Sequence, residues 1–199
     1  MHPDPRFRGR GDLTLADALD ANPFGSLFVS TADGPMVAHV PMTLSADGAL
    51  HFHIAKSNRA TPHLAGATAL FTTLAPDGYI SPTWYALDTP QVPTWNYVAL
   101  EVDGHISAID EQAMLAHIDA LARWGEPATT PWLRTNTDPD YVARLLRGIA
   151  GFALHVTGWR YTEKLSQDKG ATVRECVAAA LDQRGGGALA TRMRAVADV

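Results

Sequence analysis

The fold is decided by residues 25–55, which read GSLFVSTADGPMVAHVPMTLSADGALHFHIA. Three runs in which apolar and polar residues alternate fill this stretch, and Asp-Gly pairs at 33–34 and 47–48 separate them. Alternation indicates a strand with one buried face, and an Asp-Gly pair between two such runs is a strong signal of a β-hairpin. The stretch therefore predicts an antiparallel meander of three strands.

The strand pattern continues through the first half of the chain. Residues 67–74 predict a fourth strand, and the Pro-Asp-Gly sequence at 76–78 predicts another turn. Two proline-marked aromatic segments, 79–85 and 92–102, predict two more strands at a sheet edge or rim, because proline cannot donate to a sheet ladder. The Asp-Gly pair at 103–104 ends the second of them. About six strands are enough to close a small barrel.

Helical periodicity then replaces alternation. Apolar residues recur at helical spacing over 111–124, and Asp138-Pro139 gives the capping residue and the proline that favour the start of a second helix. One more alternating run, 152–161, predicts a strand, and a capping-box pattern begins a last helix over 172–181. The pattern predicts a mainly β protein with flanking helices, in the α+β class.

The chain has the composition of one globular domain. It contains 199 residues, of which 46% are hydrophobic and 19% are charged, enough to bury a proper core. We expect this domain to span residues 1–184. The triglycine at 185–187 predicts that residues 185–199 form a flexible tail or a short helix.

Charge and cysteine content restrict the partners and the compartment. A net charge of −5 argues against non-specific binding to nucleic acid or to acidic membranes. The N-terminus lacks the layout of a signal peptide, and no apolar run is long enough to span a bilayer. Cys176 is the single cysteine, so no intramolecular disulfide can form. These features predict a cytoplasmic protein that does not associate with membranes.

The aromatic stretch 79–97 is the first candidate for ligand contact. It holds three of the five tyrosines and two of the five tryptophans, whose rings pack while their polar tips form hydrogen bonds. It predicts either one wall of a cleft for a flat ligand or an aromatic core hairpin. Trp95 and Asn96 are the residues expected to touch a ligand, because an amide beside an indole can both stack and hydrogen-bond. The rest is expected to be scaffold or dimer surface.

Residues 53–59, HIAKSNR, form the second candidate, a polar turn at a strand end. Lys56 and Arg59 supply positive charge, and the turn amides with Ser57 and Asn58 supply donors, which together suit a phosphate group. A solvated turn is the alternative. The candidate site residues here are His53, Ile54, Ala55, Lys56, Ser57, Asn58 and Arg59.

Two further groups of polar residues are candidates for ligand or metal binding. Residues Lys164, Ser166 and Gln167 could bond carbonyl or ring-nitrogen edges, but on their own they do not differ from an exposed loop. His51 and His53 point to the same face of a strand, and without a third ligand at a suitable spacing they predict packing rather than a metal site. No P-loop, GxGxxG sequence or nucleophile elbow is present, so no catalytic residue is predicted.

Five motifs together resemble one family. The chain is similar to the PaiB-type FMN-binding "negative transcriptional regulator" family, and the resemblance covers nearly the whole chain as far as about residue 185. This sequence departs from the family at three positions: Lys56, where Arg is usual, Arg59, where Pro is usual, and Asp168, where Asn is usual. The five motifs are HIAKSN (53–58), YISPTWY (79–85), VPTWNY (92–97), GIAGF (148–152) and KLSQ (164–167).

The resemblance implies a split β-barrel of the pyridoxamine-phosphate-oxidase and flavin-reductase kind. It also implies a homodimer with FMN in a groove between the subunits. The 53–58 turn would meet the flavin phosphate and ribityl chain, and Trp95, Asn96 and the 164–167 loop would complete the groove. The implied function is that of a flavin-binding regulatory or sensor protein, and the alternative is a flavin-dependent oxidoreductase. The acidic charge and the absence of a recognition helix argue against direct DNA binding.

Overall fold

The structure is a computed structural model, and it describes residues 3–9 and 11–196. The described residues contain six strands and five α-helices. The strands are β1 Phe24–Thr31, β2 Gly34–Leu44, β3 Leu50–Ala55, β4 Thr68–Ile80, β5 Thr94–Ala108 and β6 Ile149–Lys164. The helices are α1 Leu15–Ala21, α2 Glu111–Gly125, α3 Pro139–Leu146, α4 Ala171–Asp182 and α5 Gly187–Ala195. No helix of these residues is long and apolar enough to cross a membrane.

The chain divides into two compact units. The barrel unit consists of residues 14–73 and 101–159. The second unit consists of the described residues of 1–13, 74–100 and 160–199. Strands β4, β5 and β6 each contribute residues to both units.

The six strands close into a barrel in the order β1-β2-β3-β6-β5-β4. The predicted meander is present, since β1 pairs antiparallel with β2, and β2 pairs antiparallel with β3. Strand β1 also pairs with β4, with Val29 opposite Ala69, and β3 pairs with β6, with Leu50 opposite Leu154. The fold prediction, a mainly β split barrel with flanking helices, is confirmed.

Alternate residues of the strands fill the barrel core. Phe52 on β3 is fully buried and stacks on Phe152 of β6, with 5.6 Å between the ring centroids. Leu27, Met42 and Leu50 are buried in the same way on the first three strands. Each such side chain stabilises the fold by roughly 1.5–3 kcal/mol relative to an exposed one. A shift of one residue in register would turn all of them outward, which explains why the alternation specifies the pairing.

Two of the sequence predictions about strands are wrong. The turn predicted at 76–78 lies inside β4, which runs on to Ile80. The strand predicted over 79–85 is replaced at Pro82–Tyr85 by a 3-10 helix, in which the Ser81 side chain accepts a hydrogen bond from the amide of Thr83. Proline at the first position of a helical turn has no amide to lose, so the same residue that suggested an edge strand starts a helix.

The Asp-Gly pair at 103–104 is also not a turn, because it lies within β5. A Cβ atom on Gly104 would overlap the carbonyl oxygen of His155 and stand 2.9 Å from Leu154 Cδ1. Real Cβ atoms essentially never come that close to a backbone atom. Glycine is therefore required here by the approach of β6 and not by backbone conformation.

Helices α4 and α5 belong to the second unit. Gly185, with φ of +81°, follows the end of α4, and α5 begins two residues later. Leu189, Ala190 and Met193 of α5 are buried, so the residues after the triglycine form a packed helix as far as Ala195. Residues 197–199 lie outside the described part of the chain.

Candidate functional site

The 53–59 turn belongs to the barrel unit and starts at the end of β3. The amide of Lys56 donates to the carbonyl of Gly148 over 2.9 Å, and Asn58 Oδ1 accepts from the amide of Ala60 over 2.9 Å. Lys56, Ser57 and Arg59 are exposed. Within residues 3–9 and 11–196, neither Lys56 nor Arg59 forms an ion pair, so the turn presents two cations without a carboxylate beside them.

The first three residues of the turn have different surroundings. Ile54 is buried in the core, and Ala55 is exposed at the strand end. His53 points to His117 on α2, with 3.0 Å between His53 Nδ1 and His117 Nε2. Burial lowers the pKa of the His53 imidazole, so this ring is neutral at pH 7. No group of three potential metal ligands occurs among the described residues.

The second unit contains a cavity of about 310 Å³, which we call the Lys164 cavity. The N-terminal segment, the aromatic stretch and the segment that follows β6 each contribute to its walls. Its lining residues are Asp4, Arg6, Phe7, Tyr85, Gln91, Val92, Thr94, Asn96, Lys164, Ser166, Asp168 and Lys169.

Lys164 is the last residue of β6 and is held by neutral groups. Its Nζ donates to Thr94 Oγ1 over 2.5 Å and to the carbonyl oxygen of Trp95 over 2.7 Å. Burial lowers the pKa of the Lys164 ammonium, and the nearby carboxylate of Asp168 opposes that change. An ammonium has three N–H donors, so one remains for a further acceptor.

Asn96 lies at the wall of the same cavity and has 0% of its surface exposed. Its Nδ2 donates to Ser166 Oγ over 2.9 Å and contacts Met193 Sδ at 3.5 Å. Its Oδ1 has no hydrogen-bond partner among the described residues. Leaving a buried acceptor unsatisfied costs about 1–3 kcal/mol, so this oxygen requires an explanation.

Gln167 holds the loop that carries Ser166. Its Oε1 accepts from the amide of Leu165 over 2.8 Å, and its Nε2 donates to the carbonyl of Glu163. Ser166 has φ of +62°, a left-handed conformation that costs a non-glycine residue about 1–3 kcal/mol. The two bonds of Gln167 therefore support the strained residue that presents its hydroxyl to Asn96.

Trp95 is half exposed, at 50%, and its Nε1 donates to Asp77 Oδ1 over 2.8 Å. The edge of its ring meets Tyr79 at a centroid distance of 6.3 Å, and Tyr79 meets Trp84 at 6.2 Å. Arg184 of the second unit lies 5.2 Å from the centroid of Trp84. The aromatic residues thus pack mainly on one another, and Trp95 keeps an open side.

The structure brings together only part of the predicted set. Asn96, Lys164 and Ser166 line one cavity, and the backbone of Trp95 binds Lys164. Gln167 is buried in the loop that carries Ser166 and is not part of the lining. The seven residues of the 53–59 turn lie in the other unit. The other residues that line the cavity were not among the predicted site residues: Asp4, Arg6, Phe7, Tyr85, Gln91, Val92, Thr94, Asp168 and Lys169. Asp168 and Lys169 directly follow the KLSQ motif, which was the one available signal.

A protein-family model described as "Putative FMN-binding domain" matches residues 1–158. The chain is 26% identical over 166 residues to the protease synthase and sporulation protein PAI 2 of Bacillus subtilis strain 168. The aligned region covers 77% of this chain and 76% of that protein. The structural comparison finds an FAD- and haem-binding protein of Mycobacterium smegmatis, with a TM-score of 0.52 and 19% identity over 75% of this chain and 69% of that one. It also finds a conserved hypothetical protein of Mycobacterium tuberculosis, with a TM-score of 0.57 and 13% identity over 82% of this chain and 94% of that one. At these identities the two structures support the fold alone.

Proposed function

The chain belongs to the FMN-binding domain family, and we propose that it is a flavin-binding protein with a regulatory or sensory role, with FMN as its cofactor. The observation that carries this proposal is the pair of cations in the 53–59 turn. A family of FMN-binding domains requires a seat for a phosphate dianion, and this turn offers one at a strand end.

Lys56 and Arg59 are the residues that would hold the phosphate. Both are exposed without a carboxylate partner in the described part of the chain, so binding an anion breaks no ion pair. The ammonium of Lys56 is a point charge, whereas the guanidinium of Arg59 can give two parallel hydrogen bonds to phosphate oxygens. In this role Arg59 offsets the lack of an arginine at position 56.

The proposed quaternary structure is a homodimer with the flavin in a groove at the subunit interface. Phe24 and Phe28 support this, because they lie four residues apart on β1 and therefore on the same face of the strand. Their surfaces are 57% and 42% exposed. Large apolar side chains grouped on one outer face mark an interaction surface more often than a solvated one. Light scattering coupled to gel filtration tests it, and a monomer at micromolar concentration would refute it.

The regulatory role is preferred to an oxidoreductase role. The Bacillus subtilis relative is named a protease synthase and sporulation protein, and sporulation is a cellular programme and not a single chemical reaction. Direct DNA contact is not part of the proposal, because α2 ends at Gly125 and α3 begins only at Pro139, so these helices do not form a tight helix-turn-helix. Turnover of reduced nicotinamide with added FMN would instead favour the oxidoreductase.

The phosphate seat is tested by titrating FMN into the protein and following the loss of flavin fluorescence. We expect Lys56→Ala combined with Arg59→Ala to weaken FMN binding by at least about tenfold, since each lost charged hydrogen bond contributes about 1.5–3 kcal/mol. Riboflavin, which lacks the phosphate, should bind the variant and the unaltered protein equally. Arg123→Ala, which removes an exposed arginine from α2, is the control. Equal FMN affinity in all three proteins would refute this seat.

A further inference from the structure

Among the residues that the structure describes, Lys164 is the one cation lining its cavity that no carboxylate binds directly. Arg6 pairs with Asp4 over 2.6 Å, and Lys169 pairs with Asp168 over 3.3 Å. Lys164 instead donates to a hydroxyl and a carbonyl, both neutral. Its charge is therefore left for a ligand atom that accepts a hydrogen bond.

The same cavity contains a buried acceptor that has no donor among residues 3–9 and 11–196. Asn96 Nδ2 donates to Ser166 Oγ over 2.9 Å and contacts Met193 Sδ at 3.5 Å. A thioether sulfur can only accept, so rotating the Asn96 amide would place Oδ1 against an atom that cannot donate to it. Asn96 Oδ1 therefore remains as the atom that needs a donor.

A ligand that satisfies both groups has a hydrogen-bond acceptor next to an N–H donor. A phosphate or a simple carboxylate does not fit, because it has no N–H and would bring negative charge towards the Asn96 oxygen. The pyrimidinedione edge of an isoalloxazine ring fits, since it presents the carbonyl at C2, the N–H at N3 and the carbonyl at C4 in a row. This edge is at the opposite end of the ring system from the benzenoid methyl groups.

We infer that the Lys164 cavity receives the pyrimidinedione edge of the flavin, with Lys164 donating to the C2 carbonyl and Asn96 Oδ1 accepting from the N3 proton. The inference rests on the proposed FMN binding. Asn96 lines the cavity but has no exposed surface, so the inference requires the cavity wall to move before the edge can meet Oδ1. The cavity thereby determines which edge of the ring is enclosed.

This placement has a consequence for the bound flavin. If an added reductant such as dithionite supplied two electrons and one proton came from solvent, the ring would carry one negative charge, shared between N1 and the C2 carbonyl. The charge of Lys164 stabilises that negative charge more than it stabilises the neutral oxidised ring. Lys164 therefore raises the reduction potential of the bound flavin, which is a property that a purely structural lysine would not influence.

Modified flavins test the inference on the unaltered full-length protein. We expect 3-methyl-FMN, which lacks the N3 proton, to bind at least about tenfold more weakly than FMN, because the donor is lost and Asn96 stays unsatisfied. An analogue changed at the other end, 8-chloro-FMN, should bind like FMN. If FMN binds and 3-methyl-FMN binds equally well, the inference is wrong and the proposed function stands. If FMN itself does not bind, the proposed function fails and the inference fails with it.

The Lys164→Met variant provides the second readout. Methionine keeps an unbranched side chain of similar length while removing the charge. We expect the midpoint potential of bound FMN to fall in Lys164→Met and to stay unchanged in Arg123→Met, which replaces an exposed arginine of α2 that is not part of the cavity lining. A circular dichroism spectrum equal to that of the unaltered protein shows that each variant is folded. Equal potentials in both variants would overturn the role of Lys164.

Discussion

His53 Nδ1 lies 3.0 Å from His117 Nε2, and His117 Nδ1 lies 2.7 Å from Thr43 Oγ1. One line of hydrogen bonds thus connects β3, α2 and β2 in the wall of the barrel unit. Burial, reinforced by the charges that His53 and His51 would carry, lowers the pKa of His117 to about 3. At pH 7 the buried pair is neutral, and it joins α2 to the strand that ends in the 53–59 turn.

Stability should fall with acid because of His117. Its pKa in the folded protein, about 3, lies below the ordinary value of 6.5, so between these values the unfolded chain binds a proton that the folded chain does not. The stabilisation is fully present above pH 6.5 and decreases as the pH falls towards 3, by up to about 1.4 kcal/mol per pH unit. Urea unfolding at pH 7.5 and pH 5.5 measures this difference.

His117→Gln should remove most of that pH dependence while lowering stability at pH 7.5. The control is His155→Gln, which changes an exposed histidine on β6 of the same unit. If the two variants lose stability equally between pH 7.5 and pH 5.5, buried His117 is not responsible for the acid sensitivity.

Gly104 should not tolerate a side chain. In Gly104→Ala the new Cβ would overlap the carbonyl oxygen of His155, and backbone atoms cannot move aside without a large cost in free energy. We expect a loss of about 2 kcal/mol or more in the free energy of unfolding. The control is Gly158→Ala on β6, where nothing lies within 4 Å of the new Cβ, so it should change stability by less than about 0.5 kcal/mol. Equal effects would contradict the close approach of β5 and β6.

Helix α5 should be necessary for stability through Arg192. This residue binds the carboxylate of Glu163, which is only 8% exposed, and it donates to Tyr161 Oη over 3.2 Å. Arg192→Met leaves a mostly buried carboxylate without its partner, and we expect a loss of about 2 kcal/mol by urea unfolding. Arg194→Met breaks only exposed ion pairs and should cost less than about 1 kcal/mol. A larger loss in Arg194→Met would contradict this assignment.

Substitution of the two tryptophans of the aromatic stretch should have different effects, one on FMN binding and the other on stability. Trp95 is half exposed and its carbonyl oxygen accepts from Lys164, so Trp95→Ala should weaken FMN binding by roughly tenfold with a small loss of stability. Trp84 is packed between Tyr79 and Arg184, so Trp84→Ala should mainly lower the melting temperature. Fluorescence titration and thermal unfolding of both variants measure these effects. A loss of FMN affinity in Trp84→Ala together with a lower melting temperature in Trp95→Ala would contradict these roles.

The sequence predicted the parts of this fold that depend on neighbouring residues. The alternation over 25–55 is a local signal, and the three strands with their two turns follow from it. Gly104 was misread because its requirement comes from His155, about fifty positions away in the chain, which no local pattern reveals. Pro76 and Pro82 were misread because proline is compatible with a turn, an edge strand or the first residue of a helix.

The candidate site was predictable to a smaller degree. Lys164, Ser166 and Asn96 were selected from the motifs, yet their meeting depends on a bond between residues 70 positions apart. Asp4 and Arg6 reach the cavity from the N-terminal segment, for which the sequence offered no signal. Whether Gln167 touches the ligand stays a prediction; both ends of its amide bind the backbone of its own loop.

FMN binding by this chain is tested most directly by the visible absorption spectrum of the purified protein after FMN is added and the excess is removed by desalting. We expect a flavin spectrum that stays with the protein, and a loss of flavin fluorescence that saturates on titration. A protein that is colourless after desalting and that does not change the fluorescence of added flavin would show that FMN does not bind.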